Sequence, residues 1–384
     1  MRIALITYHA DPARGGAERY TVDLARALAG RGGDVALLYA ASAGDEKIAG
    51  VTYIHTGAAG MSRAGSYARF LNAVDRRLET EHFDIVHAML PVHRCDIYQP
   101  HAGFAFEAMA SGHLKRKSIL TRQISRLGNL LNSKRRLYAE VEARLLISAT
   151  PPALICLSKA MKQDIEFHLH LDPANIAVIP NAVDLNRYDS SAHRQAGARL
   201  REKLGIARAR RVGLFLSQDF ARKGLAETLH AMAELNDPLF VLLVAGRDNP
   251  APFQRLADRL GSGRNVIFAG AADDPYPFYA AADVVLFPSR FDPFGLVPAE
   301  AVAMGVPPVV SRRAGVSELL RHDHNALIVE DPSNIGSLAA AIRHALDPAT
   351  HERLARGCLE TRTIFSYDKH LDAIVDLYTA RRRG

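Results

Sequence analysis

The chain has 384 residues, 48% of them apolar and 23% charged, and a formal net charge of +7. This length suits two domains of ordinary size, and the composition excludes a disordered or fibrous chain. The sequence contains no run of about 20 apolar residues, the length that would span a bilayer, and the short apolar run after Met1 predicts a first strand, not a signal peptide.

The cysteine content bears on the compartment. Cys95, Cys156 and Cys358 lie far apart in the sequence and form no CxxC pair. This spacing argues against a disulfide framework and against a zinc site, and it favours a reducing environment. We therefore predict a cytoplasmic protein.

Short β-branched runs alternate with stretches of helical period along the chain. Continuous apolar strands with intervening helices are typical of parallel sheets covered on both faces. Residues 178–191 (VIPNAVDLNRYDSS) fit neither period, and the alternation restarts after them. The strand-like runs are RIALITY, DVALLYA, VTYIHT, DIVHAML and ALICLS before this segment, and RVGLFLSQ, FVLLVAG, NVIFAG, DVVLFPS, PPVVS and ALIVE after it.

This pattern predicts an α/β fold of two doubly wound, Rossmann-like domains. We expect the first domain to cover residues 1–180 and the second to cover residues 181–365. A last helix, within residues 366–384, could pack back on the first domain. Ligands of such folds bind at the carboxyl ends of the strands, so we expect a site in a cleft between the two sheet edges.

The loop after the first predicted strand ends in a glycine pair. Gly15 and Gly16 stand just before a helix that is expected to begin near Ala17. Glycine lets the backbone approach an anion closely, and a helix N-terminus presents free N–H groups. The GxGxxG fingerprint is absent, which disfavours a dinucleotide oxidoreductase. A plain strand-to-helix loop explains the pair equally well.

The positive charge is concentrated in residues 113–136 (HLKRKSILTRQISRLGNLLNSKRR). This segment holds eight Lys or Arg and no Asp or Glu, and the rest of the chain is nearly neutral. Its apolar residues have helical spacing, which predicts an amphipathic basic helix. Leu120, Ile124, Leu127 and Leu131 form the apolar stripe, with Arg122 and Arg126 on the other side.

Three roles for this segment stay open: contact with an anionic membrane surface, docking of an acidic phosphorylated acceptor, or packing of its apolar stripe with solvated cations. The three arginines at positions 381–383 could add to its charge. Nucleic acid is disfavoured as a partner, because no recognition motif or series of stacking aromatic residues accompanies the segment.

A basic pair lies where the first strand of the second domain is expected to end. In SQDFARKGL, Arg222 and Lys223 precede a predicted helix over residues 224–235. A guanidinium fork and an ammonium point charge together suit a diphosphate. The alternative is a pair of solvated surface cations.

The stretch FDPFGLVPAE (Phe291 to Glu300) carries two acids around a turn. The segment Phe294-Gly295-Leu296 is predicted to lead into a helix with Pro298 in its first turn. The first-turn amides could receive phosphate, Asp292 could accept hydrogen bonds from sugar hydroxyls, and Glu300 could hold both hydroxyls of a ribose. In the alternative, Glu300 is a helix-stabilising first-turn acid and Asp292 is a solvated loop residue.

The segment FDPFGLVPAEAVAMGVPPVVS resembles the E-x7-E motif region of the retaining GT-B glycosyltransferases of family four. In chain order, GGAER, VIPNAVD, DFARKGL, LLVAG, NVIFAG and FYAAADVVLFPS also resemble that family, so the match covers nearly the whole chain. The DFxRKG segment and the basic insertion are most similar to those of the lipopolysaccharide core glucosyltransferases.

The resemblance implies roles for these residues. Arg222 and Lys223 would bind the donor diphosphate and stabilise its departure, and Glu300 would bind the ribose. The turn at Phe294 and the backbone of Gly295, Leu296 and Val297 would meet the phosphates, the main chain of Ala271 would contact the base, and Gly15 and Gly16 would line the donor site. Asp292 stands where the family has Glu, one methylene longer, and this position bears on the donor sugar.

His101 lies in CDIYQPHAGF, at a position where the family commonly has His or Asp facing the donor sugar. Its imidazole or carbonyl could hydrogen-bond the sugar or stabilise developing positive charge. His87 and His93 are weaker candidates for the same role. Since no first-domain acid has an evident claim to act as a nucleophile, we hypothesise front-face substitution with retention, without a metal ion.

These observations predict a retaining hexosyltransferase that uses a UDP-sugar, UDP-glucose by preference, and acts on a lipopolysaccharide core or related glycolipid. It would lie in the cytoplasm, at the inner face of the membrane if residues 113–136 bind lipid. The alternatives are another GT-B enzyme class, such as a nucleotide-sugar epimerase, and a non-catalytic membrane-binding GT-B protein.

Overall fold

The computed structural model describes residues 1–44, 47–57, 60, 62–101, 103–104, 133–169 and 171–382. The chain divides into two compact units, one formed by Met1–Ile179 with Leu371–Gly384 and the other by Pro180–His370. Each unit is built on its own parallel sheet with helices between the strands. The predicted α/β class and the doubly wound pattern are therefore confirmed.

The sheet of the first unit has seven parallel strands in the order β3-β2-β1-β4-β5-β6-β7. Its strands are β1 (Arg2–Ile6), β2 (Asp34–Tyr39), β3 (Val51–His55), β4 (Ile85–Ala88), β5 (Ile97–Tyr98), β6 (Ala153–Cys156) and β7 (Ile176–Val178). The helices described between them are α1 (Gly16–Gly30), α2 (Arg63–Thr80), α3 (Ser133–Leu146) and α4 (Lys159–His168).

The strand order of this sheet reverses at β1. From β1 the chain goes to β2 and β3 on one side, and then returns to β4 on the other side. The carboxyl ends of β1 and β4 therefore lie at a topological switch point, the place where open α/β sheets bind ligands. Of the predicted segment 113–136, residues 113–132 lie outside the described residues, and residues 133–136 begin α3.

The sheet of the second unit has six parallel strands in the order β10-β9-β8-β11-β12-β13. Its strands are β8 (Arg211–Leu216), β9 (Phe240–Ala245), β10 (Val266–Gly270), β11 (Val284–Phe287), β12 (Pro308–Ser311) and β13 (Leu327–Val329). Its helices are α5 (Ser190–Lys203), α6 (Leu225–Leu235), α7 (Ala251–Arg259), α8 (Tyr276–Ala281), α9 (Leu296–Ala303), α10 (Ile335–Leu346) and α11 (Pro348–Thr361).

The apolar strands of the second unit form the centre of its hydrophobic core. β9 and β11 are buried along their whole length, as expected for central strands covered on both faces. The order reverses at β8, since β9 and β10 lie on one side of it and β11 on the other. The carboxyl ends of β8 and β11 thus form the switch point of this sheet.

The last helix, α12 (Tyr367–Arg381), begins in the second unit and continues in the first. Its residue Tyr378 is fully buried, and the Tyr378 hydroxyl lies 2.7 Å from Nδ1 of His87 on β4. Arg381 bonds the side chain of Asn175, next to β7. These contacts attach the C-terminal segment to the sheet of the first unit.

Cys95, Cys156 and Cys358 are buried, and none of them forms a disulfide. No helix among the described residues is long and apolar enough to cross a bilayer.

His370 is the last residue of the second unit, and its burial predicts that the stability of the fold depends on pH. Its ring Nδ1 is 2.8 Å from the carbonyl oxygen of Pro180, the first residue of that unit, and burial lowers the pKa of His370 to about 4. Because an unfolded histidine has a pKa of about 6.5, the unfolded chain binds a proton that the folded chain excludes.

The stability that comes from neutral His370 is therefore present above about pH 6.5 and falls as the pH drops towards 4, by up to about 1.4 kcal/mol per pH unit. We expect His370→Gln to flatten this part of the profile, measured by urea unfolding from about pH 7 to about pH 5. His230→Gln, at an exposed histidine of the same unit, is the control. Equal slopes for His370→Gln and the wild type would contradict the assignment.

Candidate functional site

Two loops meet at the switch point of the second sheet. One runs from β8 to α6 over residues 217–224, and the other from β11 to α9 over residues 288–295. The N–H of Arg290 donates to the carbonyl oxygen of Arg222 (3.1 Å), and Nη1 of Arg222 donates to the carbonyl oxygen of Phe291 (3.2 Å). The loops that carry the predicted site residues are therefore bonded to each other.

Lys223 and Asp292 form an ion pair across these two loops. Lys223 is 9% exposed, and its ammonium also lies 4.9 Å from the ring centroid of Phe287. Burial and then the nearby guanidinium of Arg222 lower the pKa of Lys223, and the charge of Asp219 opposes this shift. The alternative of a solvated surface cation is wrong for Lys223.

The backbone and the side chain of Asp292 are both fixed. Its Oδ1 accepts the N–H of Phe294 (3.0 Å), and its carbonyl oxygen accepts the N–H of Gly315 (3.0 Å). Asp292 also forms an isolated parallel bridge with Ala314. With its side chain only 12% exposed, Asp292 is not the solvated loop residue of the alternative interpretation.

Arg222 is oriented by Asp219 of the same loop. The carboxylate of Asp219 accepts both the backbone N–H and Nε of Arg222, each at 3.0 Å. The side chain of Arg222 keeps 34% of its surface exposed, so it is partly open to solvent. A half-buried guanidinium next to a buried ammonium at a switch point can bind a diphosphate.

A second ion pair, which was not predicted, holds the loop over residues 288–295 to α6. Nε of Arg290 donates to Oε1 of Glu227 at 3.0 Å, and Glu227, in the first turn of α6, is 8% exposed. The two residues are 63 positions apart, so sequence spacing gave no signal for the pairing.

The turn into α9 has the predicted form. Gly295 caps the helix with a φ of +98°, in the left-handed region that favours glycine, and α9 begins at Leu296 with Pro298 in its first turn. Phe294 is buried, whereas Leu296 and Val297 are half-buried.

The carboxylate of Glu300 is held by two phenols. Its Oε1 accepts the hydroxyl of Tyr188 (2.6 Å), and its Oε2 accepts the hydroxyl of Tyr279. Glu300 is 6% exposed and is the fifth residue of α9, beyond its first turn, so the alternative of a helix-stabilising first-turn acid is wrong. Each carboxylate oxygen has a further lone pair that can accept another hydroxyl.

Sequence analysis missed both tyrosines. Tyr188 belongs to the segment without strand or helix period, and Tyr279 lies in α8, where the apolar pattern predicts only packing. Their distances from Glu300 along the chain are 112 and 21 positions.

Ala271 follows the last residue of β10 and is exposed. Gly270 before it has a φ of +76°, which turns the chain at the carboxyl end of the strand. Ala271 therefore lies at the same edge of the sheet as Lys223 and Gly295, since all three follow parallel strands.

The remaining predicted residues belong to the first unit. Gly15 precedes α1 in an extended conformation, and Gly16 is the first residue of the helix. His101 follows β5, and its ring centroid is 4.4 Å from that of Tyr20 in α1, so His101 packs beside the helix that the glycine pair begins.

The two weaker histidine candidates have other environments. His87 is fully buried in β4 against Tyr378, and His93 is exposed and bonded through Nδ1 to a carboxylate oxygen of Asp75 (2.5 Å). Among the residues that the structure describes, no group of three or more His, Cys, Asp or Glu side chains is placed to hold a metal ion.

The second unit thus brings together Arg222, Lys223, Asp292 and the start of α9, with Glu300 one turn further along that helix. Two cations beside a helix N-terminus can together bind an anion, and a buried, oriented carboxylate can accept hydrogen bonds from hydroxyls.

Two protein-family models match the chain, one in each half. Residues 14–187 match a model described as Glycosyltransferase Family 4, and residues 198–356 match one described as Glycosyl transferases group 1. Together the two models cover most of the sequence, including all the predicted site residues.

Curated relatives match over part of their length. The chain is 27% identical over 219 residues to the lipopolysaccharide glucosyltransferase WaaG of Escherichia coli (strain K12), which covers 56% of this chain and 59% of the relative. It is 36% identical over 159 residues to the lipopolysaccharide core biosynthesis glycosyltransferase LpsD of Rhizobium meliloti (strain 1021). This match covers 41% of this chain and 46% of the relative. The chain therefore spans about half the length of these relatives.

Solved structures share the fold over nearly the whole chain. The crystal structure of WaaG, described as a glycosyltransferase involved in lipopolysaccharide biosynthesis, matches with a TM-score of 0.83 and 23% identity over 97% of this chain and 99% of that chain. The crystal structure of Anabaena HepE in complex with UDP and glucose matches with a TM-score of 0.73 and 20% identity. The match covers 99% of this chain and 100% of that chain.

Proposed function

Because the chain belongs to the GT-B glycosyltransferases, with a family 4 domain at residues 14–187 and a group 1 domain at residues 198–356, we propose that it transfers a hexosyl group from a UDP-sugar to a glycan acceptor. The observation that carries the proposal is the pairing of Lys223 with Asp292, beside Arg222 and the start of α9, at the switch point of the second sheet. We assign glucose as the donor sugar and a lipopolysaccharide core or related glycolipid as the acceptor.

The relatives support these assignments. WaaG is named a lipopolysaccharide glucosyltransferase, and LpsD is named a lipopolysaccharide core biosynthesis glycosyltransferase. HepE has the same fold and holds UDP and glucose in its crystal structure.

In this proposal the second unit binds the donor. Arg222 and Lys223 bind the diphosphate, and the backbone N–H groups at Gly295, Leu296 and Val297 receive phosphate oxygens. Glu300 accepts the two hydroxyls of the ribose on the lone pairs that the tyrosines leave open, and the main chain of Ala271 contacts the base. The carboxylate of Asp292 faces the donor sugar and also balances the charge of Lys223.

The reaction then needs no covalent intermediate. The bond between the anomeric carbon and the diphosphate breaks, the acceptor hydroxyl attacks from the same face, and a phosphate oxygen of the leaving diphosphate accepts the proton of that hydroxyl. Lys223 and Arg222 stabilise the charge that develops on the diphosphate, where other enzymes use a metal ion. His101 of the first unit would stabilise the sugar as positive charge develops. Retention is tested by the anomeric configuration of the product, which should equal that of the donor.

The donor assignment is tested by a panel of UDP-, GDP- and ADP-sugars in thermal-shift and calorimetric titrations. At a hundredfold excess over Kd a ligand stabilises by about 2.7 kcal/mol, which corresponds to about 5–10 °C for a domain of this size. We expect UDP-sugars to give this shift, and excess EDTA to leave both binding and turnover unchanged. A response to another nucleotide in place of UDP would overturn the donor assignment, and no response to any of them would overturn the proposed function.

The role of Glu300 gives a separate prediction. Glu300→Gln should weaken UDP binding about tenfold, or about 1.4 kcal/mol, because it removes an ionised acceptor from the ribose hydroxyls. The affinity for 2′,3′-dideoxy-UDP should not change, since this analogue lacks those hydroxyls. Glu234→Gln, at an exposed acid of the same unit, is the matched control. An equal loss of affinity for both nucleotides would show that Glu300 acts on the fold and not on the ribose.

The membrane role of residues 113–136 stays a prediction. It is tested by flotation with anionic vesicles, comparing the wild type with a variant in which the charges of this segment are reversed. Flotation that survives the reversal would reject it.

A further inference from the structure

We propose that Tyr188 and Tyr279 are positioning residues that make the donor site select a ribose with two free hydroxyls. They do so by fixing the plane of the Glu300 carboxylate, so that each of its oxygens keeps one lone pair directed at a hydroxyl of the ligand. The inference rests on the proposed function, because it assigns the sugar specificity of the same nucleotide site to two side chains that the reaction itself does not use.

Both phenols lie inside the second unit, one on each oxygen of the carboxylate. Tyr188 is 3% exposed and Tyr279 is fully buried. The hydroxyl of Tyr188 donates to Oε1 of Glu300 at 2.6 Å, and the hydroxyl of Tyr279 donates to Oε2. The terminal torsion of a glutamate is otherwise broad. With a donor on each oxygen, the carboxylate of Glu300 cannot turn without breaking a charge-assisted hydrogen bond.

The two tyrosines come from segments that are packed closely together. Tyr279 lies in α8, and Tyr188 lies two residues before α5. These two helices approach at backbone distance, since a Cβ added at Gly197 of α5 would lie 2.5 Å from the carbonyl carbon of Ala280 in α8. Such packing leaves the hydroxyls little freedom to move, as a preorganised site requires.

Aromatic contacts add to this support. The ring of Tyr276 in α8 is edge-on to that of Tyr188, with centroids 4.8 Å apart, and is stacked on that of His193 in α5 at 4.7 Å. The rings of Tyr188 and Tyr279 are themselves edge-on at 6.0 Å. Because aromatic pairs prefer defined geometries, these neighbours oppose rotation of either phenol. Residues 178–191, which fit neither strand nor helix period, thus contribute Tyr188 to the nucleotide site.

This arrangement determines which groups of a ligand Glu300 can bind. An ionised carboxylate accepts about four hydrogen bonds, and the phenols occupy one acceptor position on each oxygen. A ligand that fits the remaining positions must bring two adjacent donors. The 2′- and 3′-hydroxyls of a ribose do so, whereas a deoxyribose brings only one and a 2′-phosphate brings negative charge towards the carboxylate.

Loss of one phenol should therefore affect recognition of the ribose hydroxyls. A site that is built to bind a hydroxyl rejects the analogue without it, because the polar groups of the site are left unpaired. If the carboxylate can turn, the ribose hydroxyls lose their alignment, and the advantage of UDP over its dideoxy analogue decreases. The base and the diphosphate bind elsewhere in the proposed site, so their contribution should stay as it is.

The test measures the affinities of UDP and 2′,3′-dideoxy-UDP by isothermal titration, for the wild type, Tyr188→Phe and Tyr279→Phe. Phenylalanine keeps the buried ring and removes only the hydroxyl. We expect the wild type to bind UDP at least about tenfold more tightly than the analogue. Each variant should lose about fivefold of this preference, with an unchanged affinity for the analogue. Tyr276→Phe, which removes a hydroxyl from the neighbouring ring and leaves both bonds to Glu300 in place, is the matched control and should keep the wild-type preference.

A double variant separates positioning of the carboxylate from a role in the fold. Tyr188→Phe in the Glu300→Gln background should cause no further loss of preference, because the carboxylate that the phenol orients is already absent. A further fivefold loss would overturn the inference. If one of the single variants does not fold, the other tyrosine decides the test, since each phenol holds a different oxygen.

The outcomes distinguish this inference from the proposed function. Variants with the wild-type preference, or with an equal loss of affinity for both nucleotides, would overturn the inference and leave the proposed function standing. If the wild type binds GDP or ADP in place of UDP, the donor assignment fails, and the same comparison with the dideoxy form of that nucleotide decides the inference, because all three carry the same ribose. If the wild type binds none of them, both are overturned.

Discussion

Lys223→Met is expected to lower turnover of the donor about 10³-fold, a loss of about 4 kcal/mol of transition-state stabilisation. Lys223 supplies a buried positive charge beside the diphosphate in the proposed site, and a methionine of similar length cannot replace it. The measurement is release of UDP at saturating donor. Lys203→Met, at an exposed lysine of the same unit, should have wild-type turnover.

The same substitution should also destabilise the second unit, and a second variant separates the two effects. Removing Lys223 leaves the carboxylate of Asp292 buried and unpaired, which costs about 3–5 kcal/mol and lowers Tm by roughly 6–20 °C. The double variant Lys223→Met/Asp292→Asn lacks this uncompensated charge and should recover most of the stability but none of the turnover. Recovery of both would show that Lys223 acts only through the fold, and unchanged turnover in Lys223→Met would remove it from the site.

Gly224→Ala should reduce both stability and turnover, although glycine and alanine differ by one methyl group. Gly224 caps α6 with a φ of +87°, and an added Cβ would collide with the carbonyl oxygen of Pro288 in the neighbouring loop. The strained φ and the collision together should cost about 2–4 kcal/mol. Because the two loops carry Lys223 and Asp292, a shift of about 1 Å should also lower turnover about 10²-fold.

Gly261→Ala is the matched control for this prediction. Gly261 has a φ of +74°, but nothing lies within 4 Å of an added Cβ, so this variant contains the backbone strain without the collision. We expect a loss of about 1 kcal/mol in urea unfolding and wild-type turnover. If the two variants lost equal stability, close approach of the two loops would not be the reason for glycine at position 224.

Much of the fold could be predicted because its strands are buried on both faces. FVLLVAG is a short apolar run that is rich in β-branched residues and ends in glycine, and this combination favours a strand covered on both faces over a helix. β5 and β7 were not among the strand-like runs, since they have only two and three residues and are defined by their neighbours in the sheet. The C-terminal segment returns to the first unit between residues 370 and 371. The position of this boundary depends on tertiary contacts, such as that between Tyr378 and His87, which no local sequence pattern encodes.

The candidate site was predictable in part for a related reason. Lys223 and Asp292 each follow a strand, and parallel strands end at the same edge, so their proximity followed from topology. The phenols of Tyr188 and Tyr279 could not be foreseen, because a hydroxyl that reaches a buried carboxylate depends on how three separate segments pack. Arg290 and Glu227 were missed for the same reason.

The return of α12 to the sheet of the first unit affects the order of events during biosynthesis. A nascent chain usually completes its N-terminal domain first, at roughly 5–20 residues added per second. Here the partner of buried His87 is Tyr378, which leaves the ribosome only after the whole of Pro180–His370. The continuous second unit can thus fold while the first still lacks its last helix, and a newly made first unit waits roughly 10–40 s for completion.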